Sequence, residues 1–241
     1  MHKVARKLHR WSMLLLGLQF IIWSVTGAYM VLVDINYIHG NSLVNNQHKP
    51  IIAKDISYSI AQLQQDFPYA SDISMANLLN QPVYRFTHQD TSMMISAING
   101  KVLSPLSKQD ALELAQQQYT GDGSVLNALW ITENPPFELS PRHLPVWRVN
   151  FDDFAAPALY ISATSGLVVT KRHDFWRIFD WMFRFHIMDY SSGEDIDNQL
   201  LFWVALFSLL SVSSGGILIY YSVIKPYTKK RQRIINKARA V

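Results

Sequence analysis

Residues 8–34 read LHRWSMLLLGLQFIIWSVTGAYMVLVD, and from Trp11 to Val33 they carry no formal charge. A helix needs roughly 20 such residues to cross ~30 Å of hydrocarbon, so 11–33 is read as a transmembrane helix. A second uncharged run, LLFWVALFSLLSVSSGGILIYYSVI, occupies 200–224 and ends at Lys225-Pro226, where proline suits a helix stop. Its cluster Ser211, Ser213, Ser214, Gly215 and Gly216 suits close packing against another helix. The first run is too long for the apolar core of a cleaved signal, and no A-x-A-like site follows it, so a retained anchor is expected.

The charges frame the two runs. Residues 1–10 hold Lys3, Arg6, Lys7 and Arg10 with no acid, and the basic tail 225–241 holds no acid either. All 18 acids lie between the runs, where they outnumber the remaining bases, although the whole chain is +4. Positive charge confined to the flanks of apolar segments is the positive-inside pattern. It places both termini in the cytoplasm and 34–199 across the membrane, in the periplasm of a bacterial inner membrane, and it argues against a nucleic-acid partner. The chain has no cysteine, which excludes disulfides, thiolate zinc sites, iron–sulfur clusters, covalent C-x-x-C-H haem and a cysteine nucleophile.

The segment between the runs repeats itself. One half reads ISYSIAQLQQDFP from Ile56, PVYRF from Pro82 and AINGKVL from Ala97. The other reads LSKQDALELAQQQYTG from Leu106, PVWRV from Pro145 and ATSGLVV from Ala163. Each half predicts a helix, a strand opening with P-V-aromatic-R, a turn and a further strand. Ser107 and Asp110 resemble a capping box for a helix over 107–119. Asn99-Gly100 and Ser165-Gly166 suit turns that need positive φ. The stretch 121–145 reads as a loop. The expected fold is α+β and membrane-anchored, with two transmembrane helices flanking a tandem of small helix-plus-antiparallel-sheet modules, 34–104 and 105–172. An aromatic segment and loop, 173–199, then leads into the second helix.

LSKQDALELAQQQYTG, PVWRVNF and ALYISATSGLVV together resemble a PepSY domain, and 34–104 resembles a degenerate one. KLHRWSMLLLGLQFIIWSVTGAYM and MFRFHIMDY, each beside an apolar run, resemble the PepSY-associated transmembrane family. The resemblance covers nearly the whole chain. Larger members have about four spans, against two here, and some resemble haem-containing reductases of ferric siderophores. Soluble PepSY domains are associated with propeptides that inhibit peptidases. The resemblance therefore implies either a b-haem membrane electron carrier or ferric siderophore reductase component, or a non-enzymatic anchored protein that binds or regulates a periplasmic partner or peptidase.

Eight histidines are the candidate ligands for haem b. His2, His48 and His88 fall in polar stretches and are expected to be solvated, and His39 and His143 fall in loops. His9 precedes the first run and is expected at the inner interface. It is either an axial haem ligand, with Arg10 pairing a propionate, or part of a His-Arg-Trp interfacial anchor. His186 shares a helical stripe with Trp176, Phe179 and Phe183 in an interfacial aromatic helix. It is either a second axial ligand or hydrogen-bonded to backbone or headgroup. His173 is a reserve ligand on a different face. His9 and His186 stand about a bilayer apart, so one iron cannot take both. A homodimer would supply matched pairs at two levels, with the Ser/Gly patch available for its contact. A role as an accessory subunit of a larger membrane complex is a further reading.

No nucleotide-binding glycine motif and no H-E-x-x-H occurs, and no metal other than haem iron is expected. Asp152-Asp153 and the run Glu194, Asp195, Asp197 read as solvated acids, the run with a cation at the outer mouth as its alternative.

Overall fold

The computed structural model describes residues 2–45, 50–51, 56–191 and 193–238. It is an α+β structure with two small antiparallel sheets and two helices long and apolar enough to cross a membrane, Arg6–Leu32 and Gln199–Gln232. The chain divides into two units. One is Val33–Ile178, and the other joins Met1–Leu32 to Phe179–Val241. In chain order the elements are α1 (His2–Leu32), the single turn α2 (Ile35–Ile38), α3 (Ile60–Asp66), β1 (Ser71–Leu78), β2 (Gln81–His88), β3 (Thr91–Ser96), α4 (Lys108–Gln118), β4 (Ser124–Ile131), β5 (Val146–Asp152), β6 (Ala158–Ser162), β7 (Val168–Arg172), α5 (Asp174–Ile187), α6 (Gln199–Ile219) and α7 (Lys225–Ala238).

In the unit Val33–Ile178 the duplication reappears as matched hydrogen bonds. Tyr58 and Leu106, each two residues before a helix, donate their amides to the carbonyls of Ala97 and Ala163. Those alanines in turn donate to Pro82 and Pro145, the prolines that open the two P-V-aromatic-R strands. The aromatic of each motif closes the same loop, because a buried hydroxyl or indole N–H must find an acceptor. Tyr84 donates its hydroxyl to the Tyr58 carbonyl (3.1 Å), and Trp147 donates Nε1 to the Leu106 carbonyl (2.8 Å). Strand and helix entry are thus tied together in both halves by one device. The helices start as their caps require: Ser59 and Gln62 form a full capping box, and Ser107 accepts from the Asp110 amide.

The arginines of the two motifs have diverged. Arg85 donates Nε to the Ser165 carbonyl at 2.6 Å, linking the first half to the turn of the second. Arg148 instead faces Glu138, which is only 3% exposed. Glu138 also accepts from Tyr160 and from Arg177 (2.7 Å), which fastens the long connection before β5 to the sheet. Burial pushes the Glu138 carboxyl up, but the bonds from Arg177 and Tyr160 and the charges of Arg177 and Arg148 outweigh it and hold the group below the ordinary range.

The sheets are ordered β1-β2-β3 and β4-β5-β6-β7. β4 lies inside the stretch expected to be loop, and β1 likewise precedes its P-V-aromatic-R strand. Neither alternates cleanly. In SVLNALWI the register slips between Val125 and Asn127, so Ala128 is buried while Leu126, Leu129 and Trp130 are exposed. The β1–β2 and β2–β3 hairpins turn at Leu79-Asn80 and Gln89-Asp90, with positive φ at all four residues. Those dipeptides lack the glycine that usually marks such turns. The two halves are not independent: Leu78, Val83 and Met94 pack in one cluster with Ala111, Leu114, Val149, Leu159 and Ile161.

In the other unit, α6 does not stop at Pro226. The helix passes through a π-type turn, Tyr220–Ile224, and continues as α7, with the Lys225 amide bonding back to the Tyr220 carbonyl. The widened turn shifts the ladder where proline has no N–H to give, so the proline sits in the first turn of the new register.

Because Met94 belongs to the first half but packs against the second, Met94→Ala should cost about 2–4 kcal/mol. Amide exchange in β5 and β6 should accelerate along with that in β2 and β3. Faster exchange confined to the first sheet would mean that the halves do not share a core.

Candidate functional site

In the unit that joins Met1–Leu32 to Phe179–Val241, α1 and α6 pack along polar and small residues. His9, Ser12 and Leu16 share one face of α1. Ser211, Ser214 and Gly215 share the opposing face of α6. Ser12 and Ser211 bring their hydroxyls to 2.9 Å, and both residues are buried. A methyl group at Gly215 would stand 3.0 Å from His9 Cε1, so the glycine leaves the imidazole its space. Ser211, Ser214 and Gly215 of the Ser/Gly patch thus pack against a helix of the same chain, while Ser213 and Gly216 are exposed.

The hydrogen bonds of His9 assign its tautomer. Nδ1 lies 3.1 Å from the Ser211 carbonyl, which only accepts, and 3.3 Å from Ser214 Oγ. The Ser214 hydroxyl spends its proton on the Ser211 carbonyl at 2.7 Å, so toward His9 it too accepts. Nδ1 therefore carries the hydrogen, and Nε2 of the neutral ring keeps its lone pair. His186 is also held through Nδ1. Its Nδ1 lies 2.9 Å from Thr26 Oγ1, a hydroxyl that also lies 2.8 Å from the Ile22 carbonyl, so the single Thr26 proton serves one or the other. The His186 carbonyl accepts from Trp23 Nε1 at 2.7 Å, and Gly27 lies behind the ring. Both imidazoles are half-buried. A histidine held at Nδ1 with Nε2 free of the hydrogen, as His9 is, has the arrangement found behind metal-ligating imidazoles.

The two histidines mark two levels of one helix. Thr26 follows His9 by about 17 residues on α1, a rise of roughly 25 Å at ~1.5 Å per residue. The structure therefore brings each histidine to its own set of positioning residues and keeps the two apart. Arg10 is exposed next to His9 in sequence. The polar residues Thr26, Ser211 and Ser214 stand out in the sequence against apolar surroundings, but their pairing with His9 and His186 follows only from how α1, α5 and α6 pack.

The remaining candidates are engaged in structure. His173 is 2% exposed, and its Nε2 donates to the Tyr37 carbonyl at 2.7 Å, so the nitrogen a haem ligand would offer is occupied. His88, expected to be solvated, is half-buried at the end of β2 with its ring edge-on to Phe67. His39 is exposed, and His48 lies outside the described residues. In the acidic loop, Asp189 is buried and accepts from the amides of Ser191, Glu194 and Asp195, while Glu194, Asp195 and Asp197 are exposed, as for a solvated turn. Among the described residues no group of three or more His, Cys, Asp or Glu is placed to hold a metal ion. Compared with protein-family models, curated proteins and solved structures, the chain matches none.

Two measurements follow from this geometry. With the imidazole neutral, nitrogen NMR of His9 should show Nδ1 protonated and Nε2 bare, and a protonated Nε2 would contradict the assignment. His173 gives a pH dependence. Burial lowers its pKa below the ordinary imidazole range; the Tyr37 carbonyl and Asp174 oppose this, and Arg177 and Arg172 reinforce it. The folded chain binds that proton less readily than the unfolded chain. The contribution to stability is therefore complete above about pH 6.5 and is lost as pH falls from there through the lowered folded-state value. Urea midpoints measured from pH 7.5 to 5 should fall less steeply for His173→Phe than for the parent.

Proposed function

We propose that this chain is a PepSY-family protein of a bacterial inner membrane that carries electrons through b-type haem, as an electron carrier or a component of a ferric siderophore reductase. In this reading both termini are cytoplasmic and residues 34–199 are periplasmic, in keeping with the basic flanks of the two apolar helices. The observation that carries the proposal is the pair of imidazoles at two levels of α1, each fixed through Nδ1.

His9 and His186 would hold haem iron through Nε2, with Arg10 set to pair a propionate at the inner level. Bound haem would supply one-electron chemistry. The chain's own part is to orient the two rings through Ser211, Ser214 and Thr26 and to keep them in apolar surroundings. One chain offers one imidazole at each level, so two chains complete both pairs. Nothing in the sequence marks a flavin or nicotinamide site, and the electrons would come from a separate donor.

A second reading, a non-enzymatic anchored protein that binds or regulates a periplasmic protein or peptidase, draws on a different feature. A groove of about 500 Å³ runs between α4 and β4, lined by Lys108, Leu112, Glu113, Val125 and Leu126 among others. It would suit an extended segment beside a sheet edge.

The test is the absorption spectrum of the full chain purified in mild detergent, air-oxidised and then dithionite-reduced, with haem quantified per chain. The expected result is a Soret band with sharp reduced α and β bands. His9→Ala and His186→Ala should each remove about half of the haem, as one-electron sites with separate axial ligands require. A colourless protein from haem-sufficient cells, or full haem in both variants, overturns the redox reading.

A further inference from the structure

The helix that begins at Gln199 is longer than a bilayer needs. Its 34 residues to Gln232 reach roughly 51 Å at ~1.5 Å per residue, against ~30 Å of hydrocarbon. The first 21, Gln199–Ile219, suffice to cross. The π-type turn Tyr220–Ile224 then marks the boundary. Tyr220 and Tyr221 meet edge-on at 5.3 Å, and Lys225 Nζ stands 5.0 Å from the Tyr221 ring centre, a grouping of aromatic and basic residues that suits a membrane interface. Beyond it, 225–241 holds seven basic residues and no acid. Every residue from Lys225 to Gln232 is exposed. Tyr227, 68% exposed, shares a face of α7 with Lys230 and Arg231. His9 packs against Ser211 and Gly215, near the end of α6, so the start of α1 lies at the end of the unit from which α7 emerges. There α1 carries a shallow pocket of about 520 Å³, lined by Val4, Leu8 and Trp11 with Lys7 as its charged member.

Positive charge beside a span orients it, but only the charges close to the membrane serve that purpose. Upright, α7 would carry its last turn roughly 20 Å from Lys225, beyond the ~8–10 Å over which an anionic surface acts. Laid along the surface, it keeps its cations within that range. Helices bend where a π-type turn interrupts the ladder, and this one has such a turn where it leaves the apolar span. We propose that α7 is a docking helix for anionic phospholipid. It pivots at Tyr220–Ile224 onto the leaflet from which it emerges, with Tyr227 among the headgroups and the long side chains of Lys229, Lys230 and Arg231 on their phosphates. The occupant is lipid rather than nucleic acid because the cations begin at the exit of the span and accompany an exposed tyrosine. They also share their end of the unit with a pocket that offers apolar walls to an acyl chain and a lysine to its headgroup. The proposal rests on the two membrane-length helices and makes no use of haem.

The experiment reconstitutes the full chain in lipid nanodiscs, either of phosphatidylcholine alone or with a third of the lipid replaced by phosphatidylglycerol. Because the chain has no cysteine, Asn236→Cys can carry a single fluorophore, with a lipid spin-labelled at its headgroup as quencher. Asn236 is exposed, and on an upright helix it would stand roughly 16 Å past Lys225. The expected result is strong quenching in the anionic discs, weak quenching in the neutral ones, and loss of the difference at about 0.5 M salt. An anionic surface favours each nearby Lys or Arg roughly five-fold. The triple variant Lys229→Gln, Lys230→Gln, Arg231→Gln should therefore lower docking about a hundred-fold and reduce quenching to the neutral-disc level. The charge-keeping triple Lys229→Arg, Lys230→Arg, Arg231→Lys should retain the parent's quenching. Equal quenching in both kinds of disc, or anionic-disc quenching that the Gln variant keeps, overturns the proposal. So does a chain that fails to enter the discs. A short RNA duplex added to the anionic discs should leave the quenching unchanged, and full relief by it overturns the lipid assignment.

Discussion

A polar atom removed from water must find a partner, and in this chain that requirement sets the positions of most of the parts. In the unit Val33–Ile178 it acts through the two motif aromatics. The Tyr84 hydroxyl and the Trp147 indole each reach back to the carbonyl two residues before a helix and draw strand and helix entry into one frame. Glu138 extends the same logic to the long connection before β5. That connection is held by a carboxylate with almost no exposure, answered by Tyr160, Arg148 and Arg177. The apolar cluster fills the space that these bonds define, and it does so across both halves.

The requirement acts differently between α1 and α6. A serine hydroxyl on an apolar helix commonly returns its proton to its own backbone, as Ser214 does. Once that proton is spent, the oxygen can only accept. An imidazole packed against it must then donate, and the opposite ring nitrogen is left as a lone pair. Ser211 and Ser214 thus decide the tautomer of His9 without touching the nitrogen that would do chemistry. Gly215 contributes by giving the His9 ring room.

Backbone groups are subject to the same accounting, with two consequences in this fold. Pro226 removes a donor from the ladder, and the chain responds by widening one turn at Tyr220–Ile224 rather than by ending the helix. At the sheet edges the accounting is left incomplete by design of the fold, since an edge strand always keeps half of its groups unpaired. Charge on β7, bulges on β1 and β4 and cover on β3 manage those edges.

The sequence by itself determined the two apolar helices, the basic flanks, the α+β class and the internal duplication, because these depend on local composition and periodicity. The helix capped by Ser107 and the positive-φ glycines Gly100 and Gly166 were legible for the same reason. β1 and β4 were not, because a bulge breaks the alternation that betrays a strand. The glycine-free hairpins at Leu79-Asn80 and Gln89-Asp90 escaped for want of their usual residues. His9 and His186 could be singled out by their neighbours in the chain. Which nitrogen each ring exposes, and that His173 spends its Nε2 on Tyr37, only the tertiary structure decided. Those facts depend on acceptors many residues away in sequence, brought close by packing.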